Sequence, residues 1–354
     1  MKIGLLIYGS LDTLSGGYLY DRKLVETLRA QGDSVQIIAL PWRNYAAHLS
    51  DNLHFHLPPD LDLLIQDELN HPSLLAANRR KRTYPVISLV HHLRASEQRP
   101  GWQNWCYQLV EKHYLNSVDG FIFNSQTTRD VVTALVGDFK PAVIAYPPTD
   151  RFGSALPAAW VAARAKTAQP LKLIFLGNLI ERKGLQTLLQ ALTTLQPGTF
   201  HLDVIGSLQS DPMYATKMQQ FVQKNGLTTN IYFHGALDNA RLAERLQAAH
   251  VLAVPSSYEG FGIVYLEGMG FGLPAIGTSA GAASEIITEG QTGFIIAPND
   301  AVRLAAHLKE LSQNRSLLEK LALNALTRYA RQPGWETTCA NIRAFLTTVK
   351  ENYG

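Results

Sequence analysis

The chain opens the same way twice, and that repetition constrains its fold more than any other feature. Ile3 to Tyr8 is an apolar run. A loop with Gly9, Gly16 and Gly17 follows, then a helical pattern with Leu24, Val25 and Leu28 on one face, then a second apolar run from Val35 to Leu40. After Pro170 the order recurs: Leu171 to Leu176, a loop from Gly177 to Gly184, Leu185, Leu188, Leu189, Leu192 and Leu195 at helical spacing, and Phe200 to Ile205. Strand, loop, helix, strand is the unit of a parallel sheet, because a parallel neighbour is reached only by a crossover. Apolar runs at Leu63–Gln66, Val86–Val90, Gly120–Asn124 and Ala142–Ala145 extend the first half, and runs at Ile231–His234, Val251–Val254 and Pro274–Ile276 the second. The alternation predicts doubly wound α/β architecture. A chain of 354 residues exceeds what one core organises, so two domains are expected.

Pro147-Pro148, Gly153, Pro157 and an Ala-rich stretch up to Pro170 mark the break between them. The expected division is a first domain over 1–150, a linker over 151–170, a second domain over 171–332, and a terminal helix over 333–354 that can cross back to the first domain. With 46% hydrophobic residues there is apolar material for two cores, and a net charge of +3 is too small for the dominant basic surface of a nucleic-acid binder. Two cysteines far apart, Cys106 and Cys339, form neither a disulfide framework nor a zinc pattern and fit a reducing compartment. No stretch reaches the roughly 18 apolar residues of a membrane span. The first apolar run is cut short by Gly9, Ser10 and Asp12, so it reads as a strand rather than a signal peptide. A cytoplasmic location is expected.

Open parallel sheets bind ligands beyond the carboxyl ends of their strands. The most informative loop there is Pro255-Ser256-Ser257-Tyr258-Glu259-Gly260-Phe261-Gly262, leading into a helix that carries Glu267. Glycines at a helix mouth let a ligand approach the backbone, and the free amides and helix dipole favour an anion such as a pyrophosphate. Carboxylates are poor phosphate ligands but good acceptors for sugar hydroxyls. Glu259 and Glu267 around such a mouth therefore suit a molecule with both parts.

This segment, with its Ser-x-Tyr-Glu-Gly-Phe-Gly and Glu-Gly-Met surroundings, resembles the Glu-x7-Glu motif of glycosyltransferase family 4, retaining enzymes of the GT-B fold. The resemblance implies two Rossmann-like domains facing across a cleft. The N-terminal domain would take the acceptor and the C-terminal domain a nucleotide sugar. It implies that Glu259 contacts the donor sugar, that Glu267 binds the ribose diol, and that the Phe261 and Gly262 amides meet sugar and phosphates. Gly177-Asn178-Leu179-Ile180-Glu181-Arg182-Lys183-Gly184 is similar to the family's Gly-Arg-x-x-x-x-Lys-Gly, which implies that Lys183 stabilises the departing diphosphate. Asn178 stands where the family has Arg, and Arg182 is the candidate substitute. Gly206-Ser207 resembles another donor-contacting turn, and Gly281 to Glu285 with Ile286 a late Gly-rich loop.

In the first half, Val86–Val90 ends at His91-His92. The family carries a His at this strand end, aligned on His91, where it would orient the transferred sugar; a satisfied core histidine is the other reading. Gly16-Gly17 matches the family's loop facing the diphosphate, and Asn124-Ser125 is a further cleft-floor candidate. Asp67-Glu68 either touches the acceptor or lies on the surface. Asp60-Leu61-Asp62 lies at the wrong end of its strand for a metal site, and His54-Phe55-His56 lacks a third ligand. Arg79-Arg80-Lys81-Arg82, with Trp102, Trp105 and Tyr107 nearby in sequence, is either a solvated face or a contact with anionic lipid at the inner membrane face.

The implied reaction is retaining transfer of a hexose from a UDP- or GDP-sugar to an acceptor hydroxyl, with no metal and no cofactor besides the donor. A disaccharide phosphorylase-like GT-B enzyme and a non-catalytic nucleotide-sugar binder remain as alternatives. Nothing in the sequence selects the base, the sugar or the acceptor.

Overall fold

The computed structural model describes residues 1–13, 15–148, 150–167 and 170–353. The chain divides into two compact units, Met1–Pro148 with Pro333–Gly354, and Thr149–Gln332. Each is built on a six-stranded sheet.

The first unit's strands are β1 (Lys2–Tyr8), β2 (Ser34–Leu40), β3 (Leu63–Asp67), β4 (Val86–Val90), β5 (Gly120–Phe123) and β6 (Ala142–Ile144), in the order β2-β1-β3-β4-β5-β6. Every pairing is parallel, with Ile3 opposite both Val35 and Leu63. Helices on both faces explain the continuous apolar runs, since side chains on either side of the sheet are buried. Ile3, Leu5 and Ile7 pack on one face with Leu24 and Leu28 of the Gly16–Ala30 helix. Leu6 and Tyr8 pack on the other with Tyr114 and Leu115 of the Gly101–Leu115 helix. The terminal helix, Trp335–Glu351, belongs to this unit: Cys339, Ile342, Leu346 and Val349 enter the first of these cores. Arg343 and the Met1 ammonium both pair with Asp33, at 2.7 and 2.5 Å, tying the chain's start to that helix.

The second unit's strands are β7 (Leu171–Leu176), β8 (Phe200–Ile205), β9 (Ile231–Gly235), β10 (Val251–Ala253), β11 (Ala275–Thr278) and β12 (Gly293–Ile296). Their order is β12-β11-β10-β7-β8-β9, again parallel throughout. Strand β12 is absent from the sequence reading, because Gly293-Phe294-Ile295-Ile296 is a short edge run following polar residues.

Residues 151–170 differ from the expected linker. Residues 150–152 form a helical turn and Ala158–Ala165 an α-helix, both inside the second unit; 168 and 169 lie outside the described residues. Val161 is fully buried against Ala322 and Leu326. Arg164 donates to the carbonyls of Gln247, Phe271 and Gly272 at 2.8–3.0 Å. Small alanines against another helix give a close contact without the periodic large residues that signal a buried face.

Candidate active site

Loops at the carboxyl ends of β7, β8, β10 and β11 converge in the second unit. The loop after β10 leads to the helix Ile263–Gly270, whose N-cap is Gly262 in a left-handed conformation (φ 90°) with no side-chain cap. A side chain there would strike the Tyr265 ring, 2.6 Å from a Cβ, and Tyr265 is fixed by its hydroxyl to the Val254 carbonyl at 2.7 Å. The helix therefore starts with its mouth open, where backbone amides can meet a ligand.

Glu259 is buried in front of that mouth. Its backbone is clamped against the β11 loop, donating to Ala280 O and accepting from Ala282 N. Its Oε1 accepts from Lys183 Nζ and from Ser256 Oγ, both at 2.6 Å. Arg182 is 3.9 Å from Oε2 and donates to the Tyr258 carbonyl at 2.7 Å. Burial opposes both charges of the Lys183–Glu259 pair. On Glu259 the cations Lys183 and Arg182 and the Ser256 hydrogen bond outweigh it, holding the carboxyl down to about 2. On Lys183 burial outweighs Glu259 and lowers the ammonium's pKa. The carboxylate's direction decides the site's state: Glu259 is ionised and directly paired.

Lys183 ends a short helical turn closed by Gly184 (φ 75°). A Cβ at Gly184 would lie 2.0 Å from the Pro255 carbonyl oxygen, so only glycine lets the β7 loop press on the β10 loop. The Lys183 stem runs beside Gly177, 3.4 Å from where a Cβ would sit. Asn178 takes up a different task from the cation it replaces: its Oδ1 accepts from Ser207 N at 3.3 Å. Gly206 packs on Gly177, leaving no room for a side chain. Phe261 is buried, as is Glu267, four residues into its helix. Glu267 Oε1 accepts from Arg151 at 2.9 Å; burial raises its pKa and Arg151 opposes the rise. Arg151 lies in the stretch read as linker, 116 residues from Glu267 in sequence, and no local pattern signals the contact.

In the first unit, Gly16 and Gly17 open their helix behind the N-cap Ser15. A Cβ on Gly17 would lie 3.3 Å from His91 Cδ2, so the glycine seats the imidazole. His91 Nε2 meets Asp21 Oδ1 at 3.0 Å, and Asn124 donates to the His91 carbonyl at 2.8 Å. Asp21 is fully buried, and its Oδ2 has no hydrogen-bond partner among the described residues. Burial works against the imidazolium, but Asp21, then Asp67 and Glu68, raise His91 to about 9. Burial and Asp21 push Asp67 up to about 7, and burial alone is the chief cause of about 7 for Glu68. Sequence reasoning left Asp67-Glu68 undecided and missed Asp21; all three acids are buried.

Two groups bring three ligand-type atoms within 4.8 Å of one another: Asp21, Asp67 and His91, and Glu68, His71 and Glu111. His91 Nε2 is already turned to Asp21. His71 meets the Glu68 carbonyl through Nδ1 and the Tyr45 hydroxyl through Nε2.

His92 pairs with Glu97 at 2.9 Å. His54-Phe55-His56 lies outside any strand, with both imidazoles exposed. Asp62 accepts from Lys2 N and pairs with Lys350, and Asp60 is exposed. Arg82 pairs with Asp119, and Arg79 contacts His113 at the end of the Gly101–Leu115 helix.

Residues 159–328 match the family model described as Glycosyl transferases group 1. A stretch of 276 residues, 75% of the chain, is 27% identical to a glycogen synthase of Mycobacterium tuberculosis, and covers 63% of that relative's length. Among solved structures, sucrose-phosphate synthase from Thermosynechococcus elongatus aligns over 98% of each chain with a TM-score of 0.82 at 20% identity. HepE of Anabaena in complex with UDP-glucose aligns over 98% of this chain and 100% of its own, with a TM-score of 0.77 at 18% identity. These likenesses are of fold: two Rossmann-like α/β sheets of the GT-B class.

Proposed function

From a chain whose second unit carries the group 1 glycosyl transferase match, we propose a retaining glycosyltransferase that moves a hexose from a UDP- or GDP-sugar to an acceptor hydroxyl. The observation that carries this reading is the buried contact of Lys183 Nζ with Glu259 Oε1, 2.6 Å, in front of the open helix mouth at Gly262. Cation, carboxylate and the backbone of the helix mouth together match a molecule that is part phosphate and part sugar.

In this reading the diphosphate settles against the Phe261 and Gly262 amides, between the Gly177-Asn178 and Gly206-Ser207 turns. Lys183 exchanges Glu259 for phosphate, with Arg182 beside it. Glu259, already ionised, is released to accept from sugar hydroxyls, and Glu267 accepts from the ribose. As the bond to the anomeric carbon breaks, negative charge grows on the diphosphate, and a fixed Lys183 lowers that barrier. The departing phosphate takes the acceptor proton, so the new bond forms on the same face and no protein nucleophile is used. His91, set by Asp21 and Gly17, is proposed as a cation that serves the transfer. No protein-bound metal or cofactor is needed for these steps. That HepE is solved with UDP-glucose supports a UDP-sugar among the donors to test first.

The first unit's Gly101–Leu115 helix turns Trp102, Trp105 and Leu109 outward along one face, 69%, 61% and 49% exposed. Lys112 continues the face, and Arg79 lies at its end against His113. This supports a cytoplasmic enzyme that touches an anionic membrane at the inner face; no helix among the described residues is long and apolar enough to cross one.

Thermal denaturation with UDP, GDP, UDP-glucose and GDP-mannose tests the donor, since a ligand that binds only the folded state raises the midpoint. Release of UDP or GDP with an α-linked product from an α-linked donor supports retaining transfer. Sugar phosphate released with inorganic phosphate and no nucleotide points to a phosphorylase instead, and nucleotide binding without turnover on any acceptor to a binding protein.

A further inference from the structure

Arg151 is held on three sides. One terminal nitrogen donates to Glu267 Oε1 at 2.9 Å. Nε and the other terminal nitrogen both donate to Asn239 Oδ1, at 3.2 and 2.8 Å. The guanidinium carbon sits 4.9 Å from the Phe152 ring centroid, and Phe152 packs edge-on against Phe271, 5.4 Å away. Asn239 is itself fixed as the first residue of the Asn239–Ala248 helix, behind the N-cap Asp238. Among the described residues Arg151 is the one hydrogen-bond donor to the Glu267 carboxylate, and it takes only Oε1. A carboxylate this buried is ionised at little cost only when a cation faces it. A planar guanidinium can grip the carboxylate with one edge and the Asn239 amide oxygen with the other, which a lysine ammonium cannot do in a fixed plane.

We propose that Arg151 is the positioning residue for the nucleotide's ribose: it keeps Glu267 ionised and orients it so that Oε2 accepts from the ribose diol. The inference rests on the reading of Glu267 as the ribose ligand and adds what makes that carboxylate competent. Arg151 thereby sets the preference for ribonucleotide over deoxyribonucleotide without itself touching the hydroxyls. Without it Glu267 takes up a proton, becomes a weaker acceptor and loses its fixed direction.

The test is the affinity of the full chain for UDP against 2′-deoxy-UDP, and for GDP against 2′-deoxy-GDP, by titration calorimetry on wild type, Arg151→Met and Arg151→Lys. A hydrogen bond to a charged acceptor is worth about tenfold or more in affinity. Wild type is expected to prefer the ribonucleotide of the accepted base by about that factor. Arg151→Met is expected to shrink the preference to within about twofold, and Arg151→Lys to restore part of it. A general folding defect cannot imitate this, since it weakens both members of a pair equally. Arg151→Met with the full wild-type preference overturns the inference while leaving Glu267 as ribose ligand. A wild type with no preference, tested beside Glu267→Gln, removes the reading of Glu267, and the role of Arg151 falls with it.

Discussion

Lys183 and Glu259 meet at 2.6 Å, from loops 76 residues apart, and most of both side chains is buried. The pair carries both the charge proposed to act on phosphate and the charge proposed to hold the sugar. Lys183→Ala is expected to lower kcat by about 10²–10³, the usual effect of removing one group that stabilises developing negative charge. It also strands a buried carboxylate, at a cost of about 3–5 kcal/mol. Adding Glu259→Gln to Lys183→Ala is expected to recover much of the stability and none of the turnover. Urea denaturation and initial rates on the three proteins separate the two effects; unchanged turnover in Lys183→Ala removes the lysine from the mechanism.

His91 titrates in a nest of acids, and Asp21 is the nearest. Its folded-state pKa of about 9 exceeds the ordinary value of about 6.5, so the stabilisation is complete below about pH 6.5 and is lost as pH rises through about 9. Asp21→Asn leaves burial as the largest influence and is expected to move the His91 titration down. Asp67 and Glu68 change charge near 7 in the same region, so the His91 ring proton should be followed directly by NMR. The stability gap between wild type and Asp21→Asn is expected to be widest below pH 6.5 and to close above 9. A His91 titration unmoved in Asp21→Asn excludes Asp21 as its partner.

Arg164 separates a structural segment from a linker. Its buried guanidinium satisfies three carbonyls, and burial lowers its pKa to about 10. Arg164→Ala leaves those carbonyls without that donor and opens space beside Trp160, whose ring the guanidinium covers at 5.1 Å. A loss of about 3 kcal/mol is expected from the unsatisfied groups. A linker residue would cost almost nothing, so an unchanged urea midpoint would return 151–170 to that status.

The strands that carry the candidate site were legible because parallel strands buried on both faces are written as unbroken apolar runs. Glu259 and Lys183 were singled out because each sits in a loop beside glycines, whereas Glu267, four residues into its helix, was singled out by its spacing from Glu259 in the Glu-x7-Glu resemblance. What stayed hidden depends on partners far away in sequence. Asp21 is an ordinary polar position in an amphipathic helix until His91, 70 residues on, turns toward it. Arg151 and Asn239 are isolated residues until the fold sets them 88 positions apart in one contact. Asn178 shows the converse. The departure from the family pattern was visible, but only the structure gives its use, as an acceptor for the Ser207 amide.

The outward face of the Gly101–Leu115 helix gives the last expectation. Trp102, Trp105 and Leu109 recur at intervals of three and four residues, so they lie on one stripe, and the single acid of the helix, Glu111, is buried away from it. Indole rings favour the headgroup boundary, and nearby cations each add about 1 kcal/mol near an anionic surface. The protein is expected to float with vesicles containing anionic phosphatidylglycerol, less so with neutral phosphatidylcholine, and to be released as salt rises. Trp102→Ser with Trp105→Ser should abolish flotation while leaving turnover on a soluble acceptor unchanged, because the stripe faces away from the core that sets β4 and His91. Equal flotation of the double variant would show that the stripe makes no membrane contact.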